Sequence, residues 1–178
     1  MKRLAKAAII TELRDLLEAE GSWAGETHLQ KALYFLQEAE RVPLEYEFIL
    51  YKHGPFSFDL RDDLQGFRAD GLVALVPQPY PYGPKLRTTE AGKTLQSRFP
   101  KTLGRYSEQI RKVANFIGSR GVTDLEKLAT ALMFINEYPG ASDDEVAERI
   151  VEVKPHVERG QALDAARKVR KFLMGSLV

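Results

Sequence analysis

The stretch EYEFILYKHGPFSFDLRDD, residues 45–63, constrains the fold most, because two different periodicities meet in it at a tight turn. Over residues 44–50 apolar side chains alternate with glutamates, which is the pattern of a half-buried β-strand. Gly54-Pro55 is expected to end this strand. Ser57 then suits the N-cap of a helix, because its hydroxyl can accept a hydrogen bond from a free helical N–H.

Helices are predicted on both sides of this unit. The first covers about Arg3 to Glu20, and the second starts at a capping box formed by Thr27 and Gln30 and runs to about Glu40. The third follows Ser57 and places three apolar residues on one face. These residues are Leu60, Leu64 and Phe67.

A strand–loop–strand unit follows the third helix. Residues 72–76 and 85–88 are predicted strands, and the proline-rich segment 77–84 between them cannot form regular structure. Thr88 or Thr89 is expected to cap the next helix, which ends near Pro100. This order of elements is typical of a winged helix whose wing tip is residues 77–84.

The rest of the chain is predicted to be helical. The first of four amphipathic helices is expected to end at Gly121, and capping boxes at Thr123–Glu126 and Ser142–Glu145 open the next two. The last spans about Glu158 to Met174. We therefore expect an α+β, mostly helical fold with a winged-helix-like part and small antiparallel sheet over residues 1–99. A helical bundle, residues 100–178, is expected to pack on it as one unit.

Composition excludes several classes of site. The 178 residues include no cysteine, which removes disulfides, thiolate metal sites and cysteine nucleophiles. The net charge of +1 gives no general attraction to nucleic acids or anionic membranes. No apolar run is long enough to span a bilayer, and no signal peptide is evident, so we expect a cytoplasmic protein.

DNA binding is the first alternative that a winged helix raises. The helix that would enter the major groove, residues 58–70, carries four acidic and two basic side chains, which opposes contact with phosphates. The candidate contacts are two wing residues and a basic cluster in the last helix. They are Lys85, Arg87, Arg167, Lys168, Arg170 and Lys171. Solvated edge charges and cations that complement a helix dipole explain the same residues.

Catalysis is the second alternative. His28, His53 and His156 have no metal-binding spacing, and His28 is expected to be exposed. His53 lies close in sequence to Ser57 and Asp59, so a Ser-His-Asp arrangement can be drawn. Because both partners already have roles at a helix start, we predict no enzyme, no cofactor and no metal site.

Four segments resemble a known family. HLQKALYFLQ (28–37), YEFILYKHGPFSFDLRDDL (46–64) and the GLVAL…LRTTEAG segment (71–92) are similar to the SocA-antitoxin-like, or Panacea, group and to YwgA-type bacterial proteins. KPHVERGQALDAARKV (154–169) resembles the end of YwgA-type chains. The turn before Gly-Pro has one residue more than the family's Y-x-G-P-[YF]-S motif.

The resemblance covers residues 28–98 well and 125–173 loosely, and it implies a non-enzymatic, antitoxin-like or adaptor-like module that binds another protein. The implied contact residues surround the Gly-Pro turn, and the partner's identity stays open. They are Lys52, His53, Phe56, Ser57 and Arg61. Phe56 and Phe58 flank Ser57, so either can be an exposed anchor or a core residue. Burial of the Gly-Pro turn under the C-terminal helices would argue against the interaction-module hypothesis.

Overall fold

Eight helices and two small antiparallel sheets form residues 1–175, the part of the chain that this computed structural model describes. The helices are α1 (Arg3–Ala19), α2 (Glu26–Glu38), α3 (Phe58–Ala69), α4 (Glu90–Arg98), α5 (Pro100–Ile117), α6 (Val122–Glu137), α7 (Asp143–Val153) and α8 (Arg159–Met174). The strands are β1 (Ile49–Tyr51), β2 (Gly54–Phe56), β3 (Val73–Val76) and β4 (Lys85–Thr88). The predicted α+β, mostly helical fold class is confirmed.

Helix α2 lies at the centre of the molecule. Nine consecutive residues, His28 to Leu36, are buried, and the helix contacts α1, α3, α5, α6 and β2. A helix buried on every side must also bury its polar residues, here including His28, Gln30 and Lys31. The prediction that His28 is exposed is therefore wrong: its side chain lies inside, near the backbone of Arg120.

The segment before β1 differs from the predicted long strand. Only residues 49–51 form a strand, whereas residues 44–48 are irregular and Glu45 has a φ of +62°. The Gln37 side chain explains this, since it binds both backbone groups of Tyr46: its Oε1 accepts from the amide at 2.9 Å and its Nε2 donates to the carbonyl at 2.8 Å. A side chain thus replaces a neighbouring strand.

The Gly-Pro pair forms part of a strand and does not end one. Tyr51 is opposite Gly54, Leu50 opposite Pro55 and Ile49 opposite Phe56, so β1 and β2 form a hairpin with a two-residue turn. The second sheet pairs β3 with β4, and residues 77–84 form the irregular loop predicted between them.

The observed N-termini of the helices show which of the predicted caps are correct. Ser57 and Thr89 cap α3 and α4, and Ser142 with Glu145 forms the predicted capping box of α7. The other two boxes are wrong. Helices α2 and α6 begin earlier, after Gly25 and Gly121, which places both threonines inside the first turn. Helix α5 correspondingly ends at Ile117 with Gly118 as its C-cap, before the predicted Gly121.

One apolar core joins the two predicted halves of the chain. Helix α1 packs on α5, and α2 packs on α6. Three phenylalanine rings meet across the boundary: Phe35 lies 5.2 Å from Phe116 and 5.6 Å from Phe172, measured between ring centroids, and the last two are 4.4 Å apart. Among residues 1–175, no helix combines the length and apolar character needed to cross a bilayer.

Candidate functional site

Buried charged side chains hold the β1–β2 hairpin in place. Lys31 on α2 is 1% exposed, and its Nζ donates to the Pro55 carbonyl at 2.7 Å. Lys154, which directly follows α7, is 6% exposed and donates to the carbonyl of Tyr51 at 3.0 Å and to that of Lys52. Both cations therefore bind the backbone of the hairpin.

Glu126 on α6 supplies the counter-charge. Its carboxylate is buried, with Oε1 2.9 Å from the Lys154 Nζ. This contact is an ion pair without an aligned hydrogen bond, because that oxygen has no hydrogen-bond donor in the described structure. Burial lowers the pKa of Lys31 to about 8, with Lys154 adding to the decrease and Glu126 opposing it.

Two further contacts fix the hairpin against α2 and α6. Gln30 brackets the backbone of Ser57, accepting from its amide at 3.0 Å and donating to its carbonyl at 2.9 Å. Gly54 has a φ of +81°, and a Cβ there would lie 2.9 Å from the Thr130 hydroxyl and 3.2 Å from the Glu126 carbonyl. Only glycine allows this close approach to α6.

Two histidines flank Glu126 at the surface. His53 Nδ1 lies 3.7 Å from Oε2 of the carboxylate and His156 Nε2 lies 3.6 Å from Oε1, while both imidazoles are at least 60% exposed. Lys154 already occupies the cation position beside this carboxylate. Among residues 1–175, no cluster of three potential ligands fits a metal ion.

The imagined Ser-His-Asp arrangement is not formed. Ser57 is fully buried, and its hydroxyl accepts the Leu60 amide at 3.2 Å as the cap of α3. His53 instead faces Glu126. Ser57 is therefore not placed as a nucleophile that His53 could activate.

Above this charged support lies an apolar surface that we call the hairpin patch. Its members are Ile49, Tyr51, Phe56 and Phe58, whereas Leu50 lies on the opposite face of β1. Ile49, Tyr51 and Phe58 are 40–45% exposed, and Phe56 is half-buried. The rings of Tyr51, Phe56 and Phe58 contact one another, with centroid distances of 5.1–5.7 Å.

The structure changes the predicted contact surface around the Gly-Pro turn. Lys52 and His53 are exposed at the turn, and Arg61 places its guanidinium 5.0 Å from the Phe58 ring. Ser57 is a correction, because a fully buried residue cannot touch a partner. Gly54 and Pro55 are buried against α6, which is the outcome expected to count against an interaction module; the parts that remain exposed are Lys52 and His53 at the turn and strand β1.

Sequence reasoning missed both the buried charges and the exposed strand. Lys31, Glu126 and Lys154 stand in ordinary helical or junction contexts, and no spacing marks them as neighbours. The alternating pattern predicted that Leu50 lies on the inner face with Tyr46, whereas Leu50 is exposed in the structure. The pattern did not indicate that Ile49 is exposed either. The sequence did contain one indication of the patch: Tyr51, Phe56 and Phe58 lie within eight residues of one another.

The basic residues predicted for the DNA-binding alternative are largely paired. Arg170 lies 2.5 Å and Arg167 4.0 Å from Asp143, and Lys168 lies 2.6 Å from Asp164. Lys171 is in the last turn of α8. On the wing, the Lys85 Nζ lies 4.5 Å from the centre of the Trp23 ring, and Arg87 is exposed on β4. Helix α8 packs on α6 and α7, whereas β4 packs on β3, α1 and α4, so the two groups belong to differently placed elements.

Comparison with known proteins does not place this chain in a family. The chain matches no model of a known protein family, and no curated protein is similar to it.

Proposed function

We propose that this protein is a non-enzymatic interaction module whose hairpin patch binds an extended apolar segment of a partner protein. The main support for this proposal is that charged side chains are buried here while apolar side chains are exposed, which is the reverse of the usual distribution. Lys31, Glu126 and Lys154 are buried beneath the hairpin, while Ile49 and Tyr51 on one face of β1 and the neighbouring Phe58 are 40–45% exposed. Contiguous exposed apolar surface is typical of interaction sites, whereas single exposed residues are common everywhere.

The free edge of β1 supports an extended partner. Strand β2 packs on α2 and α6, so the unpaired edge belongs to β1. Leu50 is opposite Pro55, which has no N–H, so this pair is the non-hydrogen-bonded one of the ladder. The Leu50 amide and carbonyl therefore point away from β2, where a partner strand can bind them.

Charges around the patch favour acidic side chains in the partner. Lys52 and His53 are exposed at one end of the patch, and Arg61 covers the Phe58 ring at the other. Acidic groups flanking an apolar strand would meet these cations without burying an unpaired charge. Resemblance to Panacea and YwgA-type proteins supports an antitoxin-like or adaptor-like regulatory role in a bacterial cytoplasm.

Site-specific photocrosslinking tests this proposal. The photoreactive amino acid p-benzoylphenylalanine replaces Tyr51 in the cells that naturally make the protein, and Tyr80, 97% exposed on the β3–β4 loop, is the matched aromatic control. We expect a crosslinked protein from position 51 that position 80 does not give. The purified partner should then bind wild type, and Leu50→Pro and Lys52→Glu should each weaken it at least about tenfold.

Two results would overturn the proposal. Equal crosslinking from positions 51 and 80 means that the hairpin patch is not a specific surface. Crosslinking only to a second copy of this chain means that the patch is a homodimer interface. A circular dichroism spectrum and a urea midpoint unchanged from wild type are required of each variant before its binding is interpreted.

A further inference from the structure

A cleft of about 280 Å³ lies between the start of α2, one face of α3 and the β3–β4 loop. The side chains that define it are Trp23, Glu26, His28, Arg61, Leu64 and Arg68. It contains neither the β1 strand nor the buried ion pair, so it is a different surface from the hairpin patch. Only Arg61 belongs to the surroundings of both.

The cleft has an apolar body with open edges. Leu64 is buried in its wall, while Leu75 and Val122 are 37% and 36% exposed around it. Apolar walls that remain open to solvent in a concave site can be covered by a small molecule.

Trp23 forms a rigid wall of the cleft. Its indole Nε1 donates to the Gly83 carbonyl at 3.3 Å, and its ring lies 4.9 Å from that of Tyr82. Gly25 leaves no space behind the indole, since a Cβ there would lie 3.1 Å from Trp23 Cδ1. Tyr82 and the Lys85 ammonium already contact the indole, and Trp23 also lines the cleft, so a flat ligand group would meet the part of the ring that these two contacts leave open.

The cleft carries more positive than negative charge. Arg61 and Arg68 line the cleft together with one carboxylate, that of Glu26, and the Lys85 ammonium lies 4.5 Å from the centre of the Trp23 ring. Among residues 1–175 neither arginine forms an ion pair with Glu26: Arg61 lies 3.6 Å from Asp62, and Arg68 has no ion pair. Burial raises the pKa of Glu26 even though both arginines act in the opposite direction. The Arg68 guanidinium is therefore available to an anion from outside, and the solvent-exposed ion pair of Arg61 with Asp62 is of the weak kind that an incoming anion can replace.

We propose that this cleft binds a small organic anion, in which a flat apolar group lies against Trp23 and a carboxylate or phosphate meets Arg61 and Arg68. Planar guanidinium groups pair with both kinds of anion through two parallel N–H donors. The cleft volume is slightly below the usual range of ligand pockets, which limits the ligand to about one ring with its acidic group.

Trp23 provides the assay, because it is the only tryptophan in the chain. Its fluorescence is followed during titration with phenyl phosphate, benzoate and the neutral benzyl alcohol. We expect a saturable change with at least one of the anions and binding of the alcohol at least about tenfold weaker. Arg68→Gln should weaken anion binding by a similar factor, whereas Arg98→Gln, an exposed arginine on α4 outside the cleft, should not.

Each outcome decides a part of the proposal. Preference between phenyl phosphate and benzoate distinguishes a phosphate ligand from a carboxylate. No saturable change with either anion, or equal affinity for benzyl alcohol, overturns the site as an anion site. Equal binding by wild type and Arg68→Gln overturns the role of the arginine. Arg68→Gln should leave the Tyr51 crosslink unchanged, so failure of this proposal and failure of the interaction surface can be told apart.

Discussion

Replacing Glu126 with glutamine should destabilise the protein by about 3–5 kcal/mol, the cost of leaving a buried charge without its partner. The substitution keeps the shape of the side chain, so lost packing contributes little. It removes the only carboxylate within 4.0 Å of the Lys154 ammonium among residues 1–175 and leaves Lys154 and Lys31 buried beneath the hairpin without an anion. The effect should exceed that of losing an ordinary hydrogen bond, about 1 kcal/mol.

A double-mutant cycle separates the ion pair from other effects. Lys154→Met also loses the hydrogen bonds to the Tyr51 and Lys52 carbonyls, so its cost should be similar to that of Glu126→Gln. In the double variant no charge of the pair remains, and we expect a coupling of at least about 2 kcal/mol. Lys168→Gln is the control, because the ion pair of Lys168 with Asp164 is more than half exposed and should contribute under about 1 kcal/mol.

Urea unfolding at pH 7, followed by circular dichroism, measures these free energies. The dependence of the unfolding free energy on urea concentration must stay equal among variants, so that differences in midpoint report stability. A Glu126→Gln variant within about 1 kcal/mol of wild type would refute the reasoning, since the buried lysines would then need no counter-charge.

Three further perturbations test other parts of the structure by urea unfolding. Gly54→Ala should cost about 2–3 kcal/mol from backbone strain and a clash with α6, against about 1 kcal/mol for Gly71→Ala, which has a φ of +69° but open space. Equal losses would contradict the close packing of Gly54. Ser142→Ala should cost about 1 kcal/mol, whereas Thr27→Ala, which removes no cap, should change stability by under about 0.5 kcal/mol. A large loss at Thr27 would restore the capping box that the structure rejects. The folded-state pKa of Lys31, about 8, lies below its ordinary value of 10.5, so the folded protein binds fewer protons between these values and gains stability as pH rises. Relative to Lys31→Met, wild type should gain about 1.5 kcal/mol from pH 8 to 9.5, and parallel pH profiles would contradict this burial.

Local signals predicted the helices well because periodicity and caps act over a few residues. The apolar stripe of α3, its Ser57 cap and the capping box of α7 are where they were predicted. The prediction of a long strand before the Gly-Pro pair is wrong, because the alternating residues 44–48 are not paired with a neighbouring strand. Tyr46 is buried, as predicted, but the Gln37 side chain binds its backbone in place of a strand partner. No local sequence pattern indicates that contact.

The support beneath the hairpin could not be predicted because it depends on residues far apart in the chain. Gln30 and Lys31 are polar residues in a helix, for which an exposed face is the normal expectation. They are buried because α2 is surrounded, and the hairpin backbone provides their hydrogen-bond acceptors. Glu126 and Lys154 meet only after α6, α7 and the hairpin have packed together.

This arrangement separates what holds the hairpin from what the hairpin displays. Strands of three residues are marginal by themselves, so β1 and β2 depend on contacts from the helices. Those contacts go to backbone groups: Lys31 binds the Pro55 carbonyl and Lys154 binds that of Tyr51. Lys31 and Lys154 thus hold the hairpin through its backbone and not through the side chains of Ile49 and Leu50.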